Sequence, residues 1–588
     1  MKCLLIHSDD DPENGPWADL PWDRIADLGL GGVNTYARWQ RQFDCPVTTL
    51  DSLRKGFDDF RRVRGLLDLG CGRLTDEHGL DWWEIMSLLL HGELETLILL
   101  QRFVPTVGSG DEVYVSRPGL HASLVQRLLP GRVSVFPLRR GAEKSGLGHY
   151  VRVFNKLSAP QIIDVFWDKY DAGYQIRGRL ARKRPSSPRP VVLLPTAYVN
   201  VSRTGIAYAK TFPDENFLLV TTRQSGWVED LPKNVAGAWL SSYASVRDRS
   251  GENADLERRL QSLLNELGGV EEFEILNRLG YLDSFPRRFR RGLEVRDAWR
   301  NVLDTEPVQA VLCADDSNPY TRIPLLLARA RGLPNVACHH GALDGRYVFK
   351  RSYGDVIWAK GKMEEDYLVR KCGVPAERVE ICAPAPPANW IAREQFNQPE
   401  LNHQALRSDI LFISEAFDLT GGRAEEFYRD ILPPLADLAL STGRKLIVKL
   451  HPAESERERV RLVESILSPR QQEATRIVSG PLTEELLSTV WFGITILSTV
   501  AVECAVRGIP CFLCKWLESR PYGYVEQFIR FGVGIGLEDP SEIDKIPQYL
   551  EQRAVRTDVF HNCLQPAAPG RLKELLASSQ KPCATAAR

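Results

Sequence analysis

Two polar segments near the carboxyl end of the chain carry residue types that could hold a phosphate. His451 precedes Pro452 directly after an apolar run, and Ser498 and Thr499 follow a second apolar run. An imidazole and two hydroxyls beside a helix start suit an anion, because the N–H groups there are free and the dipole end is positive. These residues therefore predict an anion-binding site.

Each segment needs a buried strand to position it. Leu446 to Leu450 is an apolar run of the parallel-strand type, and Pro452 stops it because proline has no N–H. The second predicted strand, 493–497, leads into a helix over 499–507 that Ser498 can cap. Ligands bind at the carboxyl ends of parallel strands, so both segments could face one anion. A surface His-Pro turn and an ordinary capped helix are the alternative.

Two neighbouring side chains extend this predicted donor site. Lys449 precedes the imidazole by two positions, and Glu503 lies one turn into the expected helix. The Glu503 carboxylate could accept hydrogen bonds from ribose hydroxyls. The sequence thus predicts a nucleotide site rather than a site for a bare anion.

A second set of chemically capable residues lies in the middle of the chain. Asp315 and Asp316 end a predicted strand over 309–313, and His339 and His340 end another over 335–338. Carboxylates and imidazoles can take a proton from a hydroxyl. We predict that His340 or the Asp315–Asp316 pair is the catalytic base, and the sequence leaves the choice open.

Composition limits the class of protein. At 588 residues the chain is too long for one core, and a net charge of -1 implies no bulk attraction to nucleic acid or membrane. The twelve cysteines form no disulfide framework, and the lone Cys511–Cys514 pair is a poor zinc site, so reduced thiols in the cytoplasm are expected. No run is apolar enough to span a bilayer.

Changes in composition suggest domain boundaries. The basic stretch 175–190 and the Pro-rich stretch 384–402 indicate linkers. Strands and helices alternate in each block between them, which predicts α/β domains with parallel sheets. The expected parts are an N-terminal α/β domain of unknown role, an acceptor-side domain, a donor domain and a flexible tail, over 1–180, 190–385, 403–565 and 566–588.

The N-terminal block carries a weaker motif. Its candidate strands are 3–7, 65–69, 96–100, 112–116 and 133–137. The segment Leu69-Gly70-Cys71-Gly72 looks like the cofactor loop of an S-adenosylmethionine methyltransferase, although Leu74 stands where a third glycine is expected. This motif is too short to assign a function.

The order of these motifs resembles that of GT-B glycosyltransferases with a His-Pro motif followed by a Ser/Thr motif, such as bacterial sialyl- and polysialyltransferases and CDP-glycerol glycerophosphotransferases. The resemblance covers about 190–565 and implies two Rossmann-type domains facing a cleft. It assigns donor-phosphate binding to His451, Ser498 and Thr499. It also implies a base, either in His340-Gly341 or in Asp315-Asp316.

The resemblance implies an inverting, metal-independent transferase that uses no cofactor. Its expected partners are a nucleotide-activated sugar or polyol donor and a carbohydrate or lipid-linked acceptor of cell-surface polysaccharide, and no nucleic acid. We expect a cytoplasmic protein, with peripheral membrane contact through basic segments left open and the oligomeric state unknown. A nucleotide-sugar 2-epimerase of GT-B fold and a non-catalytic binding protein are the alternatives.

Overall fold

The computed structural model describes most of the 588 residues in twelve stretches. These are residues 1–7, 10–28, 33–137, 189–244, 250–385, 408–415, 424–451, 454–480, 482–517, 522–552, 562–568 and 570–578. The basic stretch 175–188, the Pro-rich stretch 386–402 and Pro452 lie outside them. The chain divides into two compact units, within the bounds Met1–Phe57, Leu97–Arg139 and Pro387–Cys563 for unit 1, and Asp58–Thr96, Arg140–Pro386 and Leu564–Arg588 for unit 2.

Within the described stretches the strands form three sheets, and each of these strands pairs with its neighbours in parallel. The first sheet has the order β3-β2-β1-β4-β5. Its strands are β1 Lys2–Ile6, β2 Arg24–Asp27, β3 Val47–Thr49, β4 Glu112–Val115 and β5 Val133–Val135. This sheet belongs to unit 1.

The second sheet lies in unit 2 and has the order β12-β11-β10-β9-β6-β7-β8. Its strands are β6 Val191–Thr196, β7 Phe217–Thr221, β8 Val235–Trp239, β9 Val308–Cys313, β10 Asn335–Ala337, β11 Val356–Ala359 and β12 Val379–Ile381. All residues of β6 and β7 are buried, as expected for inner strands covered on both faces.

The third sheet lies in unit 1 and has the order β15-β14-β13-β16-β17-β18. Its strands are β13 Asp409–Ile413, β14 Lys445–Lys449, β15 Thr475–Val478, β16 Val490–Thr495, β17 Cys511–Cys514 and β18 Ile535–Leu537. In all three sheets the chain winds outward from a central strand and then returns to that strand's other side. Each sheet therefore has a topological switch point, between β1 and β4, between β6 and β9, and between β13 and β16.

Helices connect the strands along the described residues. They are α1 Val33–Phe43, α2 Phe57–Asp68, α3 Trp82–Ser87, α4 His91–Phe103, α5 Leu120–Leu128, α6 Val199–Thr211, α7 Ser250–Leu267, α8 Glu271–Arg278, α9 Phe285–Thr305, α10 Pro319–Ala330, α11 Lys362–Asp366, α12 Ala424–Ser441, α13 Glu456–Ile466, α14 Pro469–Glu473, α15 Glu484–Thr489, α16 Val500–Val506, α17 Tyr524–Arg530, α18 Ile546–Glu551 and α19 Arg571–Ser578. The predicted fold class, α/β with parallel-sheet domains, is confirmed.

Two predicted strands in the N-terminal block are wrong, because both segments are helical. Residues 65–68 form the end of α2, Leu69 lies in the turn after it, and 96–100 belong to α4. In α2 the buried side chains of Phe60, Val63 and Leu67 recur at helical spacing, and the apolar run is only the last turn of that stripe. In α4 several faces are buried, so its run has the continuous apolar character of a strand.

The glycine-rich segment after α2 has a packing role. It follows a helix rather than a strand, so the strand-to-helix geometry of a cofactor loop is absent at this position. A Cβ at Gly70 would lie 2.5 Å from Nε1 of Trp83, well inside van der Waals contact. Gly70 therefore lets the indole of Trp83 pack against the chain, and the methyltransferase interpretation of this segment is wrong.

Residues 58–96 pack within unit 2. The Glu84 carboxylate pairs with the buried Arg322 guanidinium at 2.6 Å and accepts the backbone N–H groups of Arg351 and Ser352 at 2.8 and 2.6 Å. Helix α3 also packs against α9 and α10. A buried carboxylate with three donors ties this helical segment to the second sheet.

Part of the expected tail is ordered. Residues 566–588 were expected to fray, but Arg571–Ser578 form α19, and Leu572 is 1% exposed in the core of unit 2 beside Trp358 and Cys382. The backbone of Gln565 bonds to Lys360 and Ala383 ahead of it. The apolar face of α19 explains why this segment folds back onto the sheet.

None of the described helices combines the length and the apolar character that a membrane crossing requires.

Candidate functional site

The switch point of the second sheet gathers acidic and imidazole side chains. Tyr198 follows β6, Asp315 follows β9, and His339 and His340 follow β10. Because β6, β9 and β10 are adjacent and parallel, their carboxyl ends meet at one edge. The sequence-predicted residues Asp315, Asp316 and His340 are thus brought together in unit 2.

Asp315 is almost fully buried and closely partnered. The Tyr198 hydroxyl donates to its Oδ2, and the Ser317 backbone N–H donates to its Oδ1 at 2.9 Å. The Arg346 guanidinium lies 3.8 Å from Oδ1. Burial opposes ionisation, but the Arg346 guanidinium and the hydrogen bond from Tyr198 favour the carboxylate, and the pKa of Asp315 lies below its usual value. Asp315 is therefore an anion at neutral pH.

His340 stands edge-on to Tyr198. The two ring centroids are 5.3 Å apart at an interplanar angle of 87°, and Nδ1 of His340 is 3.5 Å from the Tyr198 hydroxyl. Burial lowers the pKa of His340, and Arg346 and Lys360 lower it further, against the raising effect of Asp315. A neutral imidazole beside a carboxylate can accept a proton and be stabilised once charged.

Asp316 has a different environment from its neighbour in sequence. Its Oδ1 receives the Lys350 ammonium at 2.6 Å, and both side chains are essentially inaccessible to solvent. The same ammonium lies 3.5 Å from Asp344. A buried carboxylate held by a buried ammonium is structural, because freeing it for catalysis would leave an unpaired charge. This geometry favours Asp315 or His340 over Asp316.

An acidic and a basic residue that sequence reasoning missed complete the cluster. Asp344 accepts the Arg346 Nε–H at 2.8 Å and its backbone N–H at 3.1 Å, which begins the short helical turn Gly345–Phe349. Burial favours the neutral form of Asp344, but Arg346 and Lys350 hold its pKa well below its usual value. Asp344 therefore fixes the guanidinium that faces Asp315 and His339.

The cluster also contains a possible ligand set for a metal ion. One ligand atom each of Asp315, His339 and His340 lie within 4.8 Å of one another. The Tyr198 hydroxyl already donates to Asp315, and Arg346 lies 3.4 Å from Nε2 of His339. A fixed guanidinium beside the three ligands disfavours a cation, and the arrangement suits proton transfer better. A metal-independent reaction stays a prediction.

The predicted donor residues lie in unit 1 at the carboxyl edge of the third sheet. His451 follows β14, and Ser498 and Thr499 follow β16. The order β14-β13-β16 separates these strands by one strand, or roughly 10 Å at the usual spacing. His451 and Ser498 thus share one edge, with Ser414 and Glu415 following β13 between them.

One carboxylate organises the turn after β14. Glu454 accepts the His451 backbone N–H at 2.8 Å on Oε2, and the Ser414 hydroxyl at 3.0 Å and the Arg459 Nε–H at 2.7 Å on Oε1. Burial lowers the pKa of His451, Glu454 raises it and Lys449 lowers it. The pKa of His451 is therefore below its usual value, so the neutral imidazole predominates at pH 7, and a bound anion would favour the charged form.

The Lys449 side chain is buried, and its ammonium already has a backbone hydrogen-bond partner. It is 6% exposed, and its ammonium donates to the Leu450 carbonyl at 2.6 Å. Burial lowers its pKa, while Glu454 and Glu503 raise it. Lys449 therefore contributes positive charge behind the edge of the sheet.

The Ser498–Thr499 turn is fixed by a glutamate that sequence reasoning missed. The Leu497 N–H donates to Glu415 Oε1 at 2.6 Å. The Ser498 hydroxyl accepts the Val500 N–H at 3.3 Å, whereas Thr499, the residue before α16, is exposed and makes no side-chain cap. Ser498, the predicted capping residue, thus makes the hydroxyl contact, but the helix begins at Val500 rather than at Thr499. Thr499 is the hydroxyl of the pair left facing solvent.

Glu503 lies in the first turn of α16 near two charges of opposite sign. Burial raises its pKa, Arg507 lowers it, Glu484 raises it and Lys449 lowers it. The influence of Lys449 means that the end of β14 and the start of α16 approach each other within the range of charge interaction. The five predicted donor residues thus belong to one edge of one sheet.

Comparison with known proteins gives weak likenesses. No protein-family model matches the sequence, and no curated protein matches it. Similar solved structures include a Staphylococcus aureus MnaA structure with UDP, with 12% identity, a TM-score of 0.39, and cover of 66% of this chain and 94% of the other.

Two further solved structures are of the same kind. A UDP-GlcNAc 2-epimerase from Methanocaldococcus jannaschii shows 11% identity and a TM-score of 0.40, over 66% of this chain and 99% of the other. Acinetobacter baumannii MurG shows 13% identity and a TM-score of 0.38, over 67% of this chain and 100% of the other. At these values the likeness is too weak to place the chain in a family.

Proposed function

We propose that the protein transfers a sugar or polyol-phosphate from a nucleotide-activated donor to a hydroxyl acceptor. The observation that carries the proposal is the pairing of a neutral His340 with an ionised Asp315 at a switch point. An imidazole of this kind is suited to remove a proton from an acceptor hydroxyl. The position of His451, Ser498 and Thr499 at the carboxyl edge of the third sheet supports the proposed binding of the donor phosphate.

The proton step assigns roles to three residues. The acceptor hydroxyl gives its proton to the His340 imidazole as its oxygen attacks the donor. Asp315 stabilises the imidazolium that forms, since its charge raises the pKa of His340. Tyr198 acts as a positioning residue because its hydroxyl holds the Asp315 carboxylate.

The leaving step concerns the donor phosphate. As the bond between the transferred group and the phosphate breaks, the departing oxygen keeps the electron pair. His451, the Ser498 and Thr499 hydroxyls and the Lys449 charge would stabilise that negative charge. The two residue sets are therefore assigned different steps of the proposed reaction.

The substrate class follows from the motif resemblance and not from geometry. Cell-surface polysaccharide is the proposed product, with a carbohydrate or lipid-linked acceptor. The His-Pro and Ser/Thr motifs support a nucleotide-activated donor, and the His-Gly segment at His340 supports either a sugar or a polyol-phosphate as the transferred group.

A binding and turnover experiment separates the two assignments. CMP, CDP, UDP and GDP are tested by calorimetry, and the best binder defines the donor class. We expect His451→Ala to weaken its binding about tenfold or more. His340→Ala should bind it normally but transfer nothing, and Ser488→Ala, an exposed serine of α15, is the control.

Three outcomes would overturn the proposal. They are no binding of any of the four nucleotides, normal binding by His451→Ala, and normal turnover by His340→Ala. If the protein converts UDP-N-acetylglucosamine to its C2 epimer without an acceptor, its activity is that of an epimerase and not that of a transferase.

A further inference from the structure

A buried tyrosine that the proposed reaction does not use lies close to the turn that carries His451. Tyr428 belongs to α12, which packs against β13 and β14, and its ring stands edge-on to Phe412 of β13 with centroids 5.4 Å apart. The Tyr428 hydroxyl donates to the Ser414 hydroxyl at 2.8 Å, and Ser414 directly follows β13. A polar group of the helix layer therefore reaches the carboxyl edge of the third sheet.

A chain of hydrogen bonds leads from Tyr428 to His451. The Ser414 hydroxyl donates to Glu454 Oε1 at 3.0 Å, and Glu454 Oε2 accepts the backbone N–H of His451 at 2.8 Å. The Glu454 N–H donates to the His451 carbonyl at 3.0 Å, so these two residues close the turn from both sides. Because a carboxylate only accepts, Ser414 donates to Glu454 and Tyr428 donates to Ser414. The direction of each bond is thereby fixed.

The chain is enclosed at one end and open at the other. Tyr428 and Ser414 are at most 2% exposed, and the Glu454 side chain is 1% exposed. Arg459 balances the Glu454 charge, with its Nε–H 2.7 Å from Oε1. His451, at the other end, is only half-buried. A buried network in which each carboxylate and hydroxyl has a partner holds its members in one geometry, so the half-buried imidazole stands on a rigid base.

The charge of Glu454 acts at both ends of the chain. Burial and the Glu454 charge raise the pKa of Tyr428, against smaller lowering effects of Ser414 and Arg459, so the tyrosine keeps its proton and remains a donor. The same carboxylate raises the pKa of His451. The position of the Glu454 carboxylate therefore affects both where the turn lies and how readily its imidazole takes up a proton.

We propose that Tyr428 is a positioning residue for the donor phosphate and acts on His451 through Ser414 and Glu454. The inference rests on the proposed function, because it takes the His451 imidazole as the group that meets the phosphate. Without the Tyr428 hydroxyl, the Ser414 side chain is free to turn to another staggered rotamer, and Glu454 then loses its donor from the strand side. Arg459 still holds the carboxylate, so the turn loosens while the fold persists.

Two other roles for the Tyr428 hydroxyl give different results. If the chain only stabilises the start of α13, its loss lowers the free energy of unfolding and leaves nucleotide affinity unchanged. If its loss loosens the whole domain, binding weakens whether or not the His451 imidazole is present. A residue that acts through His451 weakens binding only while that imidazole is there. A double-mutant cycle between Tyr428 and His451 therefore separates the three cases.

The test is calorimetry on the full-length protein with the tightest-binding nucleotide among CMP, CDP, UDP and GDP. We expect Tyr428→Phe to weaken binding about three- to tenfold, the size of one hydrogen bond, and Ser414→Ala to weaken it by a similar factor. Tyr428→Phe combined with His451→Ala should bind no more weakly than His451→Ala alone. The matched control is Tyr549→Phe in the same unit, which removes a hydroxyl 3.3 Å from Glu542 and should bind as wild type.

The outcomes distinguish this inference from the proposed function. Normal nucleotide affinity in Tyr428→Phe, or a further loss when that change is added to His451→Ala, overturns the positioning role alone. No nucleotide binding by the wild type, or normal binding by His451→Ala, overturns the proposed function and this inference with it. If Tyr428→Phe fails to fold by circular dichroism, Ser414→Ala decides in its place, with Ser488→Ala as its control.

Discussion

Glu454 and His451 are joined by a backbone hydrogen bond of 2.8 Å, from the N–H of the histidine to Oε2 of the carboxylate. Oε1 of the same carboxylate accepts a hydrogen bond from the hydroxyl of Ser414, which follows the neighbouring strand, and one from Nε–H of Arg459 in α13. A single side chain thus fixes the turn that carries the imidazole, and also influences its charge.

The first prediction concerns Glu454→Gln. The Glu454 charge raises the pKa of His451, so its removal lowers that pKa and the imidazole loses its proton at lower pH. Nucleotide affinity at pH 7 should fall about two- to tenfold, which is the size of one ordinary hydrogen bond. Calorimetry between pH 5 and 8 should show the affinity falling with rising pH earlier than in wild type. A pH profile identical to wild type would contradict this.

The second prediction concerns Tyr198→Phe. Without the Tyr198 hydroxyl the Asp315 carboxylate loses a hydrogen bond. We therefore expect kcat to fall about tenfold while the Kd for nucleotide stays unchanged. The matched control is Tyr208→Phe, which removes a buried hydroxyl that donates to the Cys382 carbonyl at 2.8 Å in the core of the same sheet. The control should lose stability but keep kcat, and an equal loss of kcat in both would disprove the assignment.

The third prediction separates the adjacent aspartates. Asp316→Asn removes the nearer of the two carboxylates that hold the buried Lys350 ammonium and should cost about 3 kcal/mol of unfolding free energy in urea. Asp315→Asn should instead lower kcat at a smaller cost in stability. The double change Asp316→Leu with Lys350→Met should recover much of the stability lost, and a double variant as unstable as Asp316→Asn would count against the structural role.

The fourth prediction is a shift in the pH dependence of turnover. Arg346 lowers the pKa of His340, so Arg346→Gln should raise that pKa. The base is active when neutral, and the acid limb of the kcat profile should therefore move to higher pH. Urea unfolding reports the separate cost of losing the Asp344 pair. A limb that stays in place would exclude His340 as the titrating base.

The fifth prediction concerns acid stability of unit 2. Burial favours protonation of Glu84, but Arg322 and two backbone N–H groups outweigh it and hold its pKa below the usual 4.5. A lowered folded pKa means that the stabilisation is complete above the unfolded value and is lost as pH falls through the folded value. Glu84→Gln should remove this acid dependence and lower stability at pH 7, as measured by urea unfolding at pH 3 to 7.

Sequence patterns predicted the inner strands well because these are continuous apolar runs. The strand predicted over 309–313 matches β9 to within one residue, and that over 335–338 matches β10 to within one residue. The outer strands β3 and β18 were not predicted. Each has only three residues, and most of these residues are only partly buried. The error over 65–69 had another cause, because the last turn of an amphipathic helix was taken without the turns before it.

The candidate site was predictable where strand ends are visible in the sequence. Tyr198 follows β6 and Glu415 follows β13, and both strands are apolar runs in the sequence. The rule that selected Asp315 and His340 would therefore also have selected these two residues. No such pattern marks Glu454, because it is one acidic residue in a charged stretch of the sequence. Its role depends on the folded turn, in which its carboxylate accepts a hydrogen bond from the Ser414 hydroxyl. Only the order of the strands in each sheet shows which strand ends lie side by side, and spacing along the chain does not give that order.

The return of α19 to the second sheet has a consequence during synthesis. Leu572 fills a core whose other members are made much earlier, and Arg571 pairs with Glu380 on the outer strand. At about 5–20 residues per second the ribosome needs on the order of ten seconds or more to add the chain from Pro386 to Leu564. The nascent protein therefore carries an incomplete hydrophobic core in unit 2 through that interval.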